Sequence, residues 1–253
     1  NVSGNGSAMS IWDGARPIVR NCLFAGNTTA GRGGAIYAGY AAVELYHSTL
    51  VLNVSSVYSS AAVEIEAGNL ILINSIMAKN TPTDVKYDQT SDNLLSHSLY
   101  GGIDPGLVEL VLEGKWAAAT YDARTHQSTL SAQQATWGPD ALVGTFVRPN
   151  AAGTRFFPII ANTATELTIW GDISGTVSEE MEFQVWDFHP RVESGAVDAA
   201  DPEYATVHDL NGIPRHDDPT FNGGSPPYGD LGAFELVASE PSNELWHLPN
   251  CVA

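Results

Sequence analysis

The sequence predicts an all-β chain: a right-handed parallel β-helix carrying a small inserted antiparallel β-domain, a barrel or a sandwich. Three observations lead there. Two independent anchors recur with a period of about 27 residues, a spacing that marks a repeat architecture. No window carries the apolar stripe of an amphipathic helix, so the repeat is not helical. After residue 109 the repeat stops and a run of longer alternating strands begins.

The first anchor is the series PIVRNCLFAGN (17–27), VELYHSTLVLN (43–53) and LILINSIMAKN (70–80), whose final asparagines are 26 and 27 residues apart. The second is AMSI (8–11), AIYA (35–38) and AVEI (62–65), with Ala8, Ala35 and Ala62 each 27 residues apart. A weaker fourth copy is NLLSHSLYGG (93–102). Each unit has short alternating runs broken by Gly and Asn, as one coil of a β-helix requires. Successive coils then stack at the strand spacing of about 4.8 Å. Val19, Leu45 and Leu72 are expected to point inward as one apolar ladder, and Phe24, Leu50 and Met77 as another. Asn21 and Asn74 form one polar column, interrupted by His47, and Asn27, Asn53 and Asn80 a second. Asn tolerates the left-handed backbone of a sharp corner, and stacked amides hydrogen-bond from coil to coil. These five asparagines read as architecture.

The 253-residue chain carries 29 acidic against 11 basic side chains, a formal charge of −18. So few cations cannot neutralise a run of phosphates, which argues against nucleic-acid binding, and an anionic bilayer would repel the chain. No stretch approaches the ~20 apolar residues of a membrane span, and no signal peptide is visible. Divalent cations suit such a surface. The two cysteines, Cys22 and Cys251, either pair or stand as separate thiols. The chain starts within a repeat and is expected to be a piece of something longer.

The segment from 110 to 186 holds KWAAATYDA, ALVGTFVRPN, RFFPIIANTATELTIWGD and EMEFQVWDF, five or six strands with Gly, Pro and Asn turns. Trp116, Trp137, Trp170 and Trp186 lie in it. They either stack on sugar rings or fill the core of a small domain.

The block from 187 to 237 is crowded with acids: Asp198, Asp201, Asp209, Asp217, Asp218 and Asp230, with Asn211 two residues after Asp209. An Asp-x-Asn-Gly turn places two oxygens on one side of a tight loop, a common start for a calcium site, although the rest of an EF-hand is missing. Alternatively these carboxylates cap turns, bind backbone N–H groups or pair with Arg215. His208 and His216 lack a diagnostic metal spacing. Residues 238–253 read as a tail.

Catalytic signals are weak. Glu44, Glu64 and Glu66 lie on strands of successive coils, and Glu64 and Glu66 alternate with Val63 and Ile65, so both are expected to face outward. That is half of a hydrolytic groove or a solvated surface. A lyase would add a base such as Arg or Lys on the same face; Lys86 lies past the third clear coil. GRGG (31–34) is a turn and not a nucleotide loop, since no helix follows.

GGAIYAG (33–39) followed by HSTLVLN resembles the Gly-Gly-Ala-Ile rungs of bacterial surface β-helix proteins, including autotransporter-type passengers. DPGLV (104–108), DFHP (187–190), SGAVDAAD (194–201), DLNGIPR (209–215) and DLGAFE (230–235) resemble the end of surface proteins with a choice-of-anchor type Q region. Ser194 is followed here by Gly where that pattern has Pro, and the inserted segment splits the first two matches. The repeat sets the β-helix coils over 1–109; the resemblance, whose β-helix part covers residues 8–102, implies an extracellular, cell-surface bacterial protein with a closing coil. It implies no reaction. The expected function is a non-catalytic stalk, adhesin or filament subunit that associates with itself or with other surface proteins. A polysaccharide-active enzyme or glycan-binding module on the same scaffold is the alternative.

Overall fold

Short strands separated by left-handed residues build the first unit. Three sheets run along a parallel β-solenoid of three coils and a shorter fourth rung. The first sheet stacks β1 (Met9–Trp12), β5 (Ile36–Gly39), β9 (Val63–Glu66) and β12 (Val85–Tyr87). The second stacks β2 (Ile18–Arg20), β6 (Val43–Tyr46), β10 (Leu70–Ile73) and β13 (Leu94–Ser96). The third stacks β3 (Leu23–Ala25), β7 (Thr49–Val51) and β11 (Ile76–Ala78), and a small pair joins β4 (Thr28–Thr29) to β8 (Val54–Ser55). All these pairings are parallel. This computed structural model describes residues 4–57, 60–87, 92–102, 106–215 and 229–236. Asp88, His216, Asp217, Asp218, Cys251 and the tail 238–253 lie outside the described residues.

Corners recur in columns. Asp13, Tyr40 and Ala67 follow the first-sheet strands, and Asn21, His47, Asn74 and His97 follow the second, all with positive φ. Gly26, Leu52 and Lys79 do the same after the third. A left-handed residue costs roughly 1–2 kcal/mol unless it is Gly or Asn, so each non-Gly corner is held by what stacks above and below it. Asn27, Asn53 and Asn80 sit one residue beyond the left-handed position. Their work is the ladder: Asn53 Oδ1 accepts from both nitrogens of Asn27 at 3.0 and 2.9 Å, and Asn80 Oδ1 does the same for Asn53 at 2.9 Å.

Inside, Val19, Leu45 and Leu72 align by register, as do Phe24, Leu50 and Met77. All six are buried in one core with Ile36, Val63 and Ile65, as the repeat predicts. Burying each such side chain is worth about 1.5–3 kcal/mol.

The segment after residue 200 runs along the second corner column like a strap. Asn74 accepts from the Asp201 N–H at 2.6 Å and donates to the Asp201 carbonyl at 2.9 Å. Tyr204 stacks on Tyr46 with ring centroids 5.9 Å apart. Asn21 accepts from the Thr206 hydroxyl and donates to the His208 carbonyl. Gly232 donates its N–H to the Asn74 carbonyl, and Ala233 donates to Thr49 Oγ1.

The second unit, residues 108–188, interrupts the first in sequence. It is a closed antiparallel barrel of six strands in the order β14 (Glu109–Asp122), β15 (Gln127–Ala132), β18 (Glu166–Trp170), β17 (Phe157–Asn162), β16 (Phe146–Arg148), β19 (Glu182–Asp187). Closure removes free strand edges. Leu130, Val147, Leu167, Ile169 and Val185 alternate into its core around Trp116 and Phe183.

Candidate functional site

The outer face of the first sheet gathers a set of polar and aromatic side chains. Register stacks Ser10, Tyr37, Glu64 and Lys86 in one outward column, and Trp12, Gly39 and Glu66 in the next. Both columns follow from strand alternation: Ile11, Ile36, Ala38, Val63 and Ile65 take the inward positions. Arg32, from the turn before β5, reaches across both. Its Nη1 donates to Glu66 Oε2 at 2.8 Å, and its Nε lies 3.7 Å from Glu64 Oε1. Lys86 Nζ is 2.9 Å from the same Glu64 oxygen, and the Ser60 hydroxyl donates to the other at 2.6 Å.

Glu64 therefore faces outward without being solvated: it is 2% exposed beneath its cationic partners. The expectation of a solvated Glu64 is corrected because Arg32 and Lys86 cover it. Glu66 is the open carboxylate, its side chain 45% exposed. The Tyr37 hydroxyl donates to it in a short hydrogen bond. That bond, reinforced by Arg32 against a cost of burial, holds Glu66 below the ordinary carboxylate range. Burial first, then the bond to Glu66, pushes Tyr37 up to about 12. The charge of Glu64, ahead of that of Glu66, raises the Arg32 guanidinium.

Glu44 does not join this face. It lies on β6 in the second sheet, where the Tyr46 hydroxyl donates to it at 3.0 Å and Arg16 approaches at 3.6 Å. Stacking coils align residues one period apart, and Glu44 is 20 positions from Glu64. Glycoside hydrolysis needs one carboxyl protonated and a second ionised across a gap. Glu66, the exposed acid here, is pushed toward ionisation, and its neighbours neutralise it.

In the carboxyl-terminal block four of the proposed metal ligands, Asp209, Asp230, Asp201 and Asn211, are engaged by the chain itself. Asp209 accepts from the N–H groups of Ile213 at 2.8 Å and Glu235 at 2.9 Å. Asp230 accepts from those of Asp198 at 2.8 Å and Leu236 at 2.5 Å. Asp201 caps a short 3-10 turn by accepting from the Glu203 N–H, and Asn211 contacts His189 Nε2 at 2.9 Å. Between them lies Arg215, 3% exposed at its side chain, bonded to Glu235 at 2.9 Å, to the carbonyls of Asp230 and Gly232, and to Asn21 and Thr206. Burial, against the pull of Glu235, lowers its pKa. Burial, then the charge of Glu235, raises Asp230 to about 7. Among the described residues no group of three or more His, Cys, Asp or Glu side chains is placed to hold a metal ion.

The barrel tryptophans divide. Trp116 is fully buried, stacked on Phe183 at 3.8 Å, and donates Nε1–H to the Pro149 carbonyl at 2.8 Å. As a sugar platform it is corrected to a core residue. Trp137 meets Phe183 edge-on, half-buried. Trp186 is half-buried with Arg148 over its ring at 5.5 Å. Trp170 is 47% exposed.

Sequence reasoning missed Trp12, Tyr37, Arg32 and Lys86 as members of one face. For Trp12 and Tyr37 a signal existed: 10/37/64 and 12/39/66 carry the same 27-residue register as Ala8, Ala35 and Ala62. Lys86 follows Glu64 by only 22 residues, because the fourth rung is short. Comparison with protein-family models, with curated proteins and with solved structures finds no match.

Proposed function

We propose that this chain is a non-catalytic structural protein of the bacterial cell surface, acting as a stalk, adhesin or filament subunit. One observation carries the reading: several of the acids flagged for chemistry are engaged within the chain itself. Glu64 is spent on Arg32, Lys86 and Ser60, and Asp209 and Asp230 on backbone N–H groups, while Glu66 stays open. The extracellular, bacterial assignment follows the resemblance of its rungs and closing block to surface proteins.

The outermost strands give a route to self-association. Among the described residues β1 and β2 lie at one margin of their sheets, and β12 and β13 at the other. A marginal strand left unpaired would offer its backbone groups to a second copy. Ile18 on β2 and Leu94 on β13 share one outward column and are 52% and 47% exposed, so an end-to-end stack would bury one against the other. Negative-stain electron microscopy of the purified chain, in calcium and in chelator, tests this. End-to-end stacks or filaments are expected; their loss in chelator would tie the acidic block to assembly. Uniform single particles in both conditions would remove the filament reading, and cleavage of a polysaccharide would remove the non-catalytic one.

A further inference from the structure

Trp12 is an aromatic side chain left half in water at a place where the fold makes room for it. Its Nε1–H donates to Ser10 Oγ at 2.9 Å, and its ring meets Tyr37 at 5.1 Å with a tilt of 50°. Below it is Gly39: a Cβ there would come within 2.6 Å of Trp12 Cζ3, so the absent side chain is what lets the indole lie on the sheet. The residue as a whole is 46% exposed. Gly39 separates Trp12 from Glu66 in the same column, so their backbones stand two strand spacings apart, about 9–10 Å, and the indole lies over the Gly39 strand between them. Arg32 and Lys86 beside them are 41% and 38% exposed at their side chains.

An indole offers a flat apolar face with little conformational entropy to lose. A carboxylate and a guanidinium fixed by their neighbours offer charge-assisted hydrogen bonds to hydroxyl groups without first having to be ordered. Glu66 and Arg32 bind each other and Tyr37, so their positions are set before any ligand arrives. Arg32 and Lys86 balance Glu64 and Glu66 in formal charge, and the chain as a whole is at −18. A polyanion would be repelled over its approach.

From this placement we infer that the outer face of the first sheet, centred on Trp12, Tyr37, Arg32 and Glu66, is a binding site for an uncharged oligosaccharide. It rests on the adhesive reading above and names that reading's ligand class. The sugar ring stacks on Trp12, and its hydroxyls bond to Glu66 and Arg32.

The test titrates the full chain with cello-, xylo-, manno- and chitohexaose and with oligogalacturonate, following heat and tryptophan fluorescence, while reducing ends are assayed in parallel. Saturable binding of at least one neutral probe is expected. Trp12→Ala and Gly39→Val, which displaces the indole, should each weaken it tenfold or more; Glu66→Gln should weaken it severalfold; Trp170→Ala should leave it unchanged. Unaltered melting temperatures separate lost binding from lost folding, and Glu66→Gln gives a second reading if Trp12→Ala fails to fold. No neutral probe binding up to about 10 mM, a range that would still detect dissociation constants of about 1 mM, overturns the site. So does binding that survives Trp12→Ala, or oligogalacturonate binding more tightly than every neutral probe. New reducing ends together with Trp12-dependent binding would support the site and overturn only the non-catalytic reading.

Discussion

His47 is a histidine in an asparagine's place. It occupies the left-handed corner between Asn21 and Asn74, fully buried, with Nε2 3.0 Å from the Asn74 amide nitrogen. Burial, then the positive charge of Arg215, lowers its pKa to about 3. The unfolded chain takes up this proton near pH 6.5 and the folded chain does not, so the stability is present above that pH and lost as pH falls toward 3. Asp230 runs the other way: raised to about 7, its contribution is present at acid pH and lost as pH rises to neutrality. His47→Asn removes only the first. Because Asn already fills the corners above and below, the variant should fold, and urea denaturation at pH 7 and 4.5 should show a smaller acid loss than in the parent chain. At Trp116 the expectation is simpler. Trp116→Ala opens a cavity against Phe183 and strands the Pro149 carbonyl, and should cost about 3–5 kcal/mol in the barrel's urea transition.

Ladders are the unit of reasoning at the level of the element. Asn53 is the middle rung: it accepts twice from Asn27, donates twice to Asn80, and sends its amide to the Phe24 carbonyl at 2.9 Å. Asn27 only donates. Asn53→Ala should therefore cost about 2–3 kcal/mol, through buried groups left unpaired, and clearly more than Asn27→Ala by the same denaturation measurement. A serine ladder runs beside it: Ser75 Oγ accepts from the Ser48 N–H and Ser98 Oγ from the Ser75 N–H, each at 3.1 Å. Most of this was legible, because a coil that stacks on itself must repeat its inward residues and its corners. Phe24, Leu50 and Met77 could be aligned by counting. The left-handed position beside Asn27, Asn53 and Asn80 was harder to see: it falls on Gly26, Leu52 and Lys79, and of these only the glycine gives a hint.

The solenoid as a whole is held by its own later chain. Arg215 joins the strap to the closing block through Glu235, two carbonyls, Thr206 and Asn21. Removing its charge takes the cation from the buried Glu235 carboxylate, and breaking a buried ion pair typically costs about 3–5 kcal/mol, so Arg215→Met should lower the solenoid's thermal transition and leave the barrel's in place. At the ends, Ile18→Lys puts a charge where Leu94 of another copy would pack, and should abolish end-to-end association in sedimentation velocity without lowering the melting temperature.

Counting along the chain was enough to determine the stacked coils, the two inward ladders and the interruption by a second β-unit, because periodicity is a local property that survives in one dimension. The register of Ser10, Tyr37 and Glu64 was available by the same counting. Tertiary structure alone decided the rest. Glu64 is covered because Arg32 folds back from a turn that reads only as glycine-rich. Lys86 arrives early because the fourth rung is short. Asp209 and Asp230 turn inward because Glu235, Leu236, Ile213 and Asp198 present N–H groups from distant parts of the block. Whether a carboxylate meets water, a cation or a backbone amide depends on which segments the fold brings beside it, and spacing along the chain does not carry that.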